Sequence, residues 1–350
     1  MTTGVVLLNF GEPAEPTREN VVAYLERIFM NNRSLDGDTT EAEARERSRK
    51  LAERRAPSLI EEYEEIGGSP LDPQAEAQAE MLESVLDARG YDVETYLGMQ
   101  FTEPFVADAV DAAREDGVDE LVGLPVYPLC GASTTIASLA ELTEAVDDLD
   151  WDVPVAEITG WHRHPTYNAL RADNVRRFTD AHDLDLSDSE TELVYSAHGT
   201  PTHYLEEGSR YDTYVEEFCE VLAQKLGVES YSLGFQNHSN RDIPWTQPEV
   251  EDVVEDLAET DTERVVVEPI SFMHEQSETL SELDDELREE AEEAGLDFYR
   301  VPVPHDDDRF GEVLADLAEP FVGDFDPGYY QFRQCQCADS ENAMCLNAPR

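Results

Sequence analysis

One set of short signatures occurs twice in this chain, in the same order. LLNFGEP (7 to 13), LGMQ (97 to 100) and ELVGLPVYP (120 to 128) are followed by YSAHGTP (195 to 201), LGFQ (233 to 236) and ERVVVEPIS (263 to 271). Gly11 and Gly199, Gly98 and Gly234, and Pro125 and Pro269 fall at matching places. A sequence that repeats itself over such spans reads as two related structural units.

The signatures mark or follow apolar runs of strand length, at residues 4–10, 91–99, 119–128, 153–161, 192–198, 230–236, 264–272 and 297–303. Helical patterns rich in Ala, Leu and Glu fill the gaps, as at 73–89, 105–116, 204–226 and 278–294. Strand alternating with helix implies parallel sheets built from right-handed crossovers. The expected fold is α/β, with two similar doubly wound, Rossmann-like halves facing a cleft. The first half covers 1–152 with a helical insertion near 31–70, the second covers 153–325, and 326–350 is a cysteine-containing tail.

In a parallel sheet ligands bind at the carboxyl ends of the strands. Those ends carry Phe10, Met99, Tyr127, His198, Gln236 and the residues after Ile270, a largely apolar and aromatic set that suits a flat, greasy ligand. Neither G-x-G-x-x-G after the first strand nor G-x-x-x-x-G-K-[ST] occurs, so no nucleotide is expected.

The chain carries 80 acidic against 24 basic residues, a net charge of -56, in 350 residues that are 40% hydrophobic. Regular apolar runs in such a chain mean a folded protein with an acidic coat. Phosphate backbones and anionic lipid are poor partners for that coat. A pI near 4.1 with few lysines resembles proteins of salt-loving archaea, in whose molar salt a Debye length of about 3 Å screens the self-repulsion. The start, MTTGVVLLNFGEP, has no basic region before its short apolar run, and no segment approaches 18 apolar residues, so a soluble, cytoplasmic protein is expected. Five cysteines in a large chain argue against a disulfide framework. Cys219 lies in a helical run and reads as core; Cys335, Cys337 and Cys345 crowd the tail.

His198 ends a buried run, where it either bonds a loop backbone or does chemistry. Glu278 stands in the first turn of a helix, where an acid is favourable capping or a group facing the same cleft. Its counterpart in the first half is the neutral Thr134, so the repeat does not account for the charge.

At these residues the chain resembles the ferrochelatases, which insert ferrous iron into a porphyrin. The resemblance runs over nearly the whole length: LLNFGEP, YEEIGGSPL (63 to 71), LPVYP followed by ASTT (124 to 135), SAHGTP (196 to 201), IPWTQPEVEDV (243 to 253), and PISF followed by SETL (269 to 280). TEPFVADAV and PWTQPEVED look more like the coproporphyrin-using branch than the mitochondrial one. The resemblance implies a chelatase-like fold, His198 as the active-site histidine, Glu278 as its acidic partner and Trp245 as a pocket aromatic. Two positions depart from the family: Gln276 stands where a histidine is common, with His274 two residues earlier, and Gln100 stands where a basic residue is common.

The chemistry fits these residue types. A porphyrin loses two pyrrole protons as iron enters, and a neutral imidazole is a natural base for them. Glu278 would carry protons onward or, with His198, hold the ferrous substrate, since carboxylate and imidazole both suit that metal. Phe10, Met99, Tyr127 and Trp245 would line the porphyrin site; Ser133, Thr134, Arg27 and Arg33 are candidate anchors for its propionates. The tail cysteines, with Cys130, are the ligands that a [2Fe-2S] cluster would need, and several ferrochelatases carry one; structural zinc or plain thiols are the alternatives. His162 and His164 resemble a structural turn in the family, and His203, His238 and His305 in polar loops read as non-ligands. The competing functions are a cobalt or sirohydrochlorin chelatase of the same architecture, against which PW and IGGSPL count, and a tetrapyrrole carrier without chemistry.

Overall fold

The apolar run nearest the amino terminus forms β1 (Thr3–Asn9), buried along its whole length, as a central parallel strand covered on both faces must be. After it come α1 (Arg18–Asn31), capped by Thr17, and α2 (Glu41–Glu65), opened by a capping box between Thr40 and Glu43. Then follow α3 (Leu71–Arg89), β2 (Val93–Met99), α4 (Val106–Asp116), β3 (Glu120–Pro125), a π-helix (Ala132–Ile136), α5 (Ala137–Asp148) and β4 (Val155–Ile158). The chain continues through α6 (Pro165–Ala181), β5 (Thr191–His198), α7 (Thr202–Glu206), α8 (Tyr211–Leu226), β6 (Ser232–Gln236), α9 (Val250–Ala258) and β7 (Arg264–Pro269). A second π-helix (Glu278–Leu287), α10 (Arg288–Glu293), β8 (Asp297–Arg300), α11 (Asp308–Val322), β9 (Arg333–Gln334) and β10 (Ala343–Cys345) complete it. This computed structural model describes residues 2–37, 40–238, 243–323, 325–338 and 340–347.

The two repeats make two sheets with one strand permutation, β2-β1-β3-β4-β10-β9 and β6-β5-β7-β8. The first four strands of one and all four of the other pair in parallel. The matching prolines occupy matching registers, Pro125 beside Leu8 and Pro269 beside Ser196. The matching glycines do the same work: a Cβ on Gly98 would stand 3.1 Å from the Cα of Val106, and one on Gly234 2.5 Å from the Cα of Val250. At each, the lack of a side chain lets the following helix come down onto the strand. Each sheet has its own core, Val6, Leu8, Leu121 and Leu142 in one, Val194, Val265, Val267 and Leu283 in the other.

The chain divides into Met1–Trp161 with Asp308–Arg350 and His162–Asp307, which differs from the sequence boundaries at 152 and 325. Two contacts explain the difference. Strand β4 pairs with β3, Leu121 opposite Val155, and so closes the first sheet. Helix α11 packs on α3, where Arg89 bonds Glu312, Asp316 and Glu319 and Gly311 abuts Met81. The tail is not separate either, because β10 pairs with β4 and belongs to the first unit. No helix among the described residues is long and apolar enough to cross a membrane.

Candidate active site and a cysteine centre

His198 is the last residue of β5 and is held from several sides. Its backbone N–H donates to Ser271 Oγ at 2.8 Å, and its carbonyl accepts from the buried Tyr211 hydroxyl at 2.9 Å. Its Nδ1 lies 2.6 Å from the carbonyl of Gly199, which can only accept, so Nδ1 carries the proton and Nε2 presents a lone pair. That Nε2 lies 3.0 Å from Nε2 of His238.

Glu278 opens the second π-helix. Its Oε2 accepts from Gln276 Nε2 at 2.8 Å and from Ser277 Oγ at 2.9 Å. Burial alone would push this carboxyl up, but the imidazole of His198, the Gln276 bond and His238 together hold it below its ordinary value. His198, His238 and Glu278 each offer a ligand atom, and the three atoms lie within 4.8 Å of one another. Trp245 meets His238 edge to face at 5.8 Å.

The structure brings His198, Glu278 and Trp245 into one neighbourhood and adds His238, which the sequence reading set among the loop histidines. That histidine follows the end of β6, the strand beside β5, just as His198 ends β5 itself. The available signal was its spacing of two residues from a predicted strand end. Gln276, noted only as a departure, is a direct partner of Glu278. His274 does not replace the missing histidine: it is 4% exposed, and burial, helped by His305, pushes its imidazole down to about 3. His162 and His164 form the turn expected of them, His162 fully buried against Glu217 and His164 capping α6 through Tyr167 N.

In the first unit the strand ends carry Phe10, Met99 and Tyr127 side by side, since β2, β1 and β3 are neighbours. Phe10 packs edge to face on Phe101 at 4.5 Å and is half-buried, as is Tyr127. Met99 corrects the expectation of a ligand contact: it is 1% exposed, packed with Leu71 and Ala75, and so is core. Ser133 and Thr134 lie in the first π-helix, and the carbonyl of Ser133 accepts from Asn31 Nδ2 at 3.2 Å. Arg27 lies over the ring of Phe105 at 4.2 Å, and Arg33, just past α1, donates to the carbonyl of Met30 near that helix's end.

The cysteines meet within that unit. Sulfurs of Cys130, Cys335 and Cys337 lie within 4.8 Å of one another, and Cys345 hydrogen-bonds the sulfur of Cys335. The bonds from Cys130, Cys337 and Cys345 push the Cys335 thiol down, while contacts with Cys335 and Cys337, and burial, push Cys130 well up. Asn347 Nδ2 bonds the carbonyl of Pro128 at 3.0 Å, and Leu346 N bonds that of Gly160 at 3.0 Å, pinning the tail there. A Cβ on Gly160 would stand 2.1 Å from Asn347 Nδ2 and 3.2 Å from Cys130 Cβ. Three clustered sulfurs, with Cys345 beside Cys335 as a fourth thiol and none of the four in a disulfide, fit the thiolate ligand set of a metal centre. Cys219 is buried in α8, as expected of core.

The family model for ferrochelatase matches residues 2–320. The ferrochelatase of Picosynechococcus sp. is 36% identical over 328 residues, 90% of this chain and 81% of that protein. That of Gloeobacter violaceus is 32% identical over 331 residues, 91% of this chain and 98% of that one. The solved structure of SirB from Bacillus subtilis with Fe3+ superposes with a TM-score of 0.53 at 11% identity, covering 93% of this chain and 99% of that one, a likeness of fold.

Proposed function

The chain belongs to the ferrochelatase family, and from that premise we propose that it inserts ferrous iron into a porphyrin in haem biosynthesis, with His198 as proton acceptor and Glu278 as its partner. The observation that carries the assignment is the geometry at His198: Nδ1 faces the carbonyl of Gly199 at 2.6 Å, which leaves Nε2 as the basic nitrogen of a ring clustered with Glu278. A neutral imidazole takes a pyrrole proton at Nε2 and becomes an imidazolium. The carboxylate of Glu278, clustered with that imidazole, stabilises the cation and would relay the proton onward. A carrier would need an axial ligand and no such acceptor, so a carboxyl group clustered with the imidazole supports chemistry over carriage. Iron is a substrate here: the same imidazole and carboxylate would hold it first, and Nε2 becomes available for a pyrrole proton as the ion passes to the porphyrin. Trp245 is the aromatic porphyrin contact proposed in the second unit; in the first unit Phe10 and Tyr127 are the apolar candidates and Ser133 and Thr134 the polar ones.

The four thiols support a resident [2Fe-2S] centre with Cys130, Cys335, Cys337 and Cys345 as ligands. Such a centre supplies one-electron exchange when bound, and its ligands here would tie β10 to the loop after β3.

The test is steady-state iron insertion with protoporphyrin IX and coproporphyrin III side by side. Turnover of at least one is expected, and the preferred one identifies the substrate; failure on both under anaerobic, high-salt conditions would refute the proposal.

A further inference from the structure

We propose that His238 is a third ligand of the ferrous substrate, so that iron is taken up by Nε2 of His198, Nε2 of His238 and the carboxylate of Glu278 before it enters the porphyrin. This rests on the metal-insertion reading above and adds to it a residue that the sequence placed among the loop histidines.

The separation of the two ring nitrogens is the first argument. Two ligands about 2.1 Å from one ion, at right angles to each other, stand about 3.0 Å apart. The two Nε2 atoms are 3.0 Å apart. Both must offer lone pairs to a metal, and the orientation of each ring allows it. His198 keeps its proton on Nδ1 through Gly199. Nδ1 of His238 lies 4.0 Å from Oε1 of Glu282, beyond hydrogen-bond length but with a carboxylate near that nitrogen. A ligating histidine with a carboxylate behind its other nitrogen is the usual way such rings are oriented. Glu282 is itself held in place, because Gln236 Nε2 donates to its Oε2 at 3.0 Å.

The donor set is the second argument. Two imidazoles and one carboxylate clustered on one side of an ion suit ferrous iron and leave other positions open. Open positions are what a substrate ion needs, since pyrrole nitrogens must replace protein ligands one after another. Three donors also compensate for what the general surface cannot provide: an acidic coat collects divalent ions weakly everywhere, whereas imidazoles select the transition metal.

The experiment is a titration of the porphyrin-free protein with Co2+ in 3 M potassium chloride, where weak binding to surface carboxylates is suppressed, followed by KM measurements for ferrous iron. A direct ligand matters at least as much as the groups that orient it, whose loss costs roughly 10- to 100-fold in affinity. His238→Ala and His238→Gln should each weaken Co2+ binding and raise the KM for iron by at least about tenfold, with the porphyrin KM moving less than about twofold. The side chain is about a third exposed, so neither change should unfold the protein, and the glutamine keeps its bulk. Wild-type Co2+ affinity and iron KM in both variants would overturn the proposal. Failure of the underlying reading looks different, because it appears as undiminished insertion by His198→Ala.

Discussion

Ser196 Oγ donates to Gln236 Oε1 at 2.9 Å across the neighbouring strands β5 and β6. The bond decides which way the amide faces. Nε2 is turned to the π-helix that begins at Glu278, where it donates to the carbonyl of Glu278 and to Oε2 of Glu282, each at 3.0 Å. Ser196 and Gln236 are 0% and 2% exposed, so water cannot replace these bonds. Gln236→Met keeps the volume, removes both donors and leaves the Ser196 hydroxyl buried without its acceptor. A loss of roughly 1–3 kcal/mol in stability is expected, together with a fall in kcat that exceeds any change in the porphyrin KM. Gln236→Glu should be worse, since it sets a second carboxylate against Glu282. Thermal melts and insertion kinetics on the two variants check this; a methionine variant that melts and turns over like wild type would contradict it.

His274 makes stability pH-dependent in a definite direction. Its folded-state value is depressed to about 3 by burial, against an unfolded value near 6.5. Between those values the unfolded chain binds a proton that the folded one refuses, so stability falls as pH drops from about 6.5 toward 3. The contribution is on the order of 3 kcal/mol at pH 4.5. His274→Gln should therefore lose less stability than wild type between pH 7 and pH 4.5 in urea melts at high salt, and parallel losses in the two proteins would show that the buried imidazole does not titrate this way.

Salt should govern folding. The net charge is -56, and arginines such as Arg89 and Arg264 each already face three carboxylates, so little cation is left to neutralise the rest. Raising potassium chloride from 0.1 M to 3 M shortens the Debye length from about 10 Å to below about 3 Å. The melting temperature should rise by roughly 5 °C or more, the equivalent of a few kcal/mol for a chain of this size. An unchanged melt would refute the prediction.

The cysteine centre predicts a visible colour. Protein purified without oxygen should be brown and carry about two irons per chain, and Cys335→Ser should abolish both. Gly160→Ala should do the same without touching a sulfur, because its methyl would collide with Asn347 Nδ2 and crowd Cys130. Colourless protein with one zinc per chain would assign the same thiols to a structural zinc site instead.

Most of the frame was legible in the sequence because the strands of a parallel sheet show as short apolar runs, and eight such runs became β1 to β8. The repeated Gly and Pro positions were legible because they mark backbone constraints, at Gly98 and Gly234 the approach of a helix. Strands β9 and β10 were not, since they are two and three residues long and are stabilised by β4 and the clustered sulfurs rather than by their own pattern. Met99 misled because a strand-end position does not reveal that α3 lies over it. His238 was hidden for the opposite reason: it lies beyond its strand, where periodicity ends, and only the pairing of β6 with β5 brings it to His198.

The central claim is that His198 takes the pyrrole proton with Glu278 as its partner, and single-turnover insertion followed by loss of porphyrin fluorescence tests it most directly. Removing a general base costs about 10²- to 10⁴-fold in rate. His198→Ala should lose at least that much while still binding porphyrin. Glu278→Gln should lose a comparable factor, and the double variant should be little worse than either, as for groups that act as a unit. A His198→Ala protein that inserts iron at a near-normal rate would contradict the account and leave His198 as the strand-end hydrogen-bond donor to Gly199.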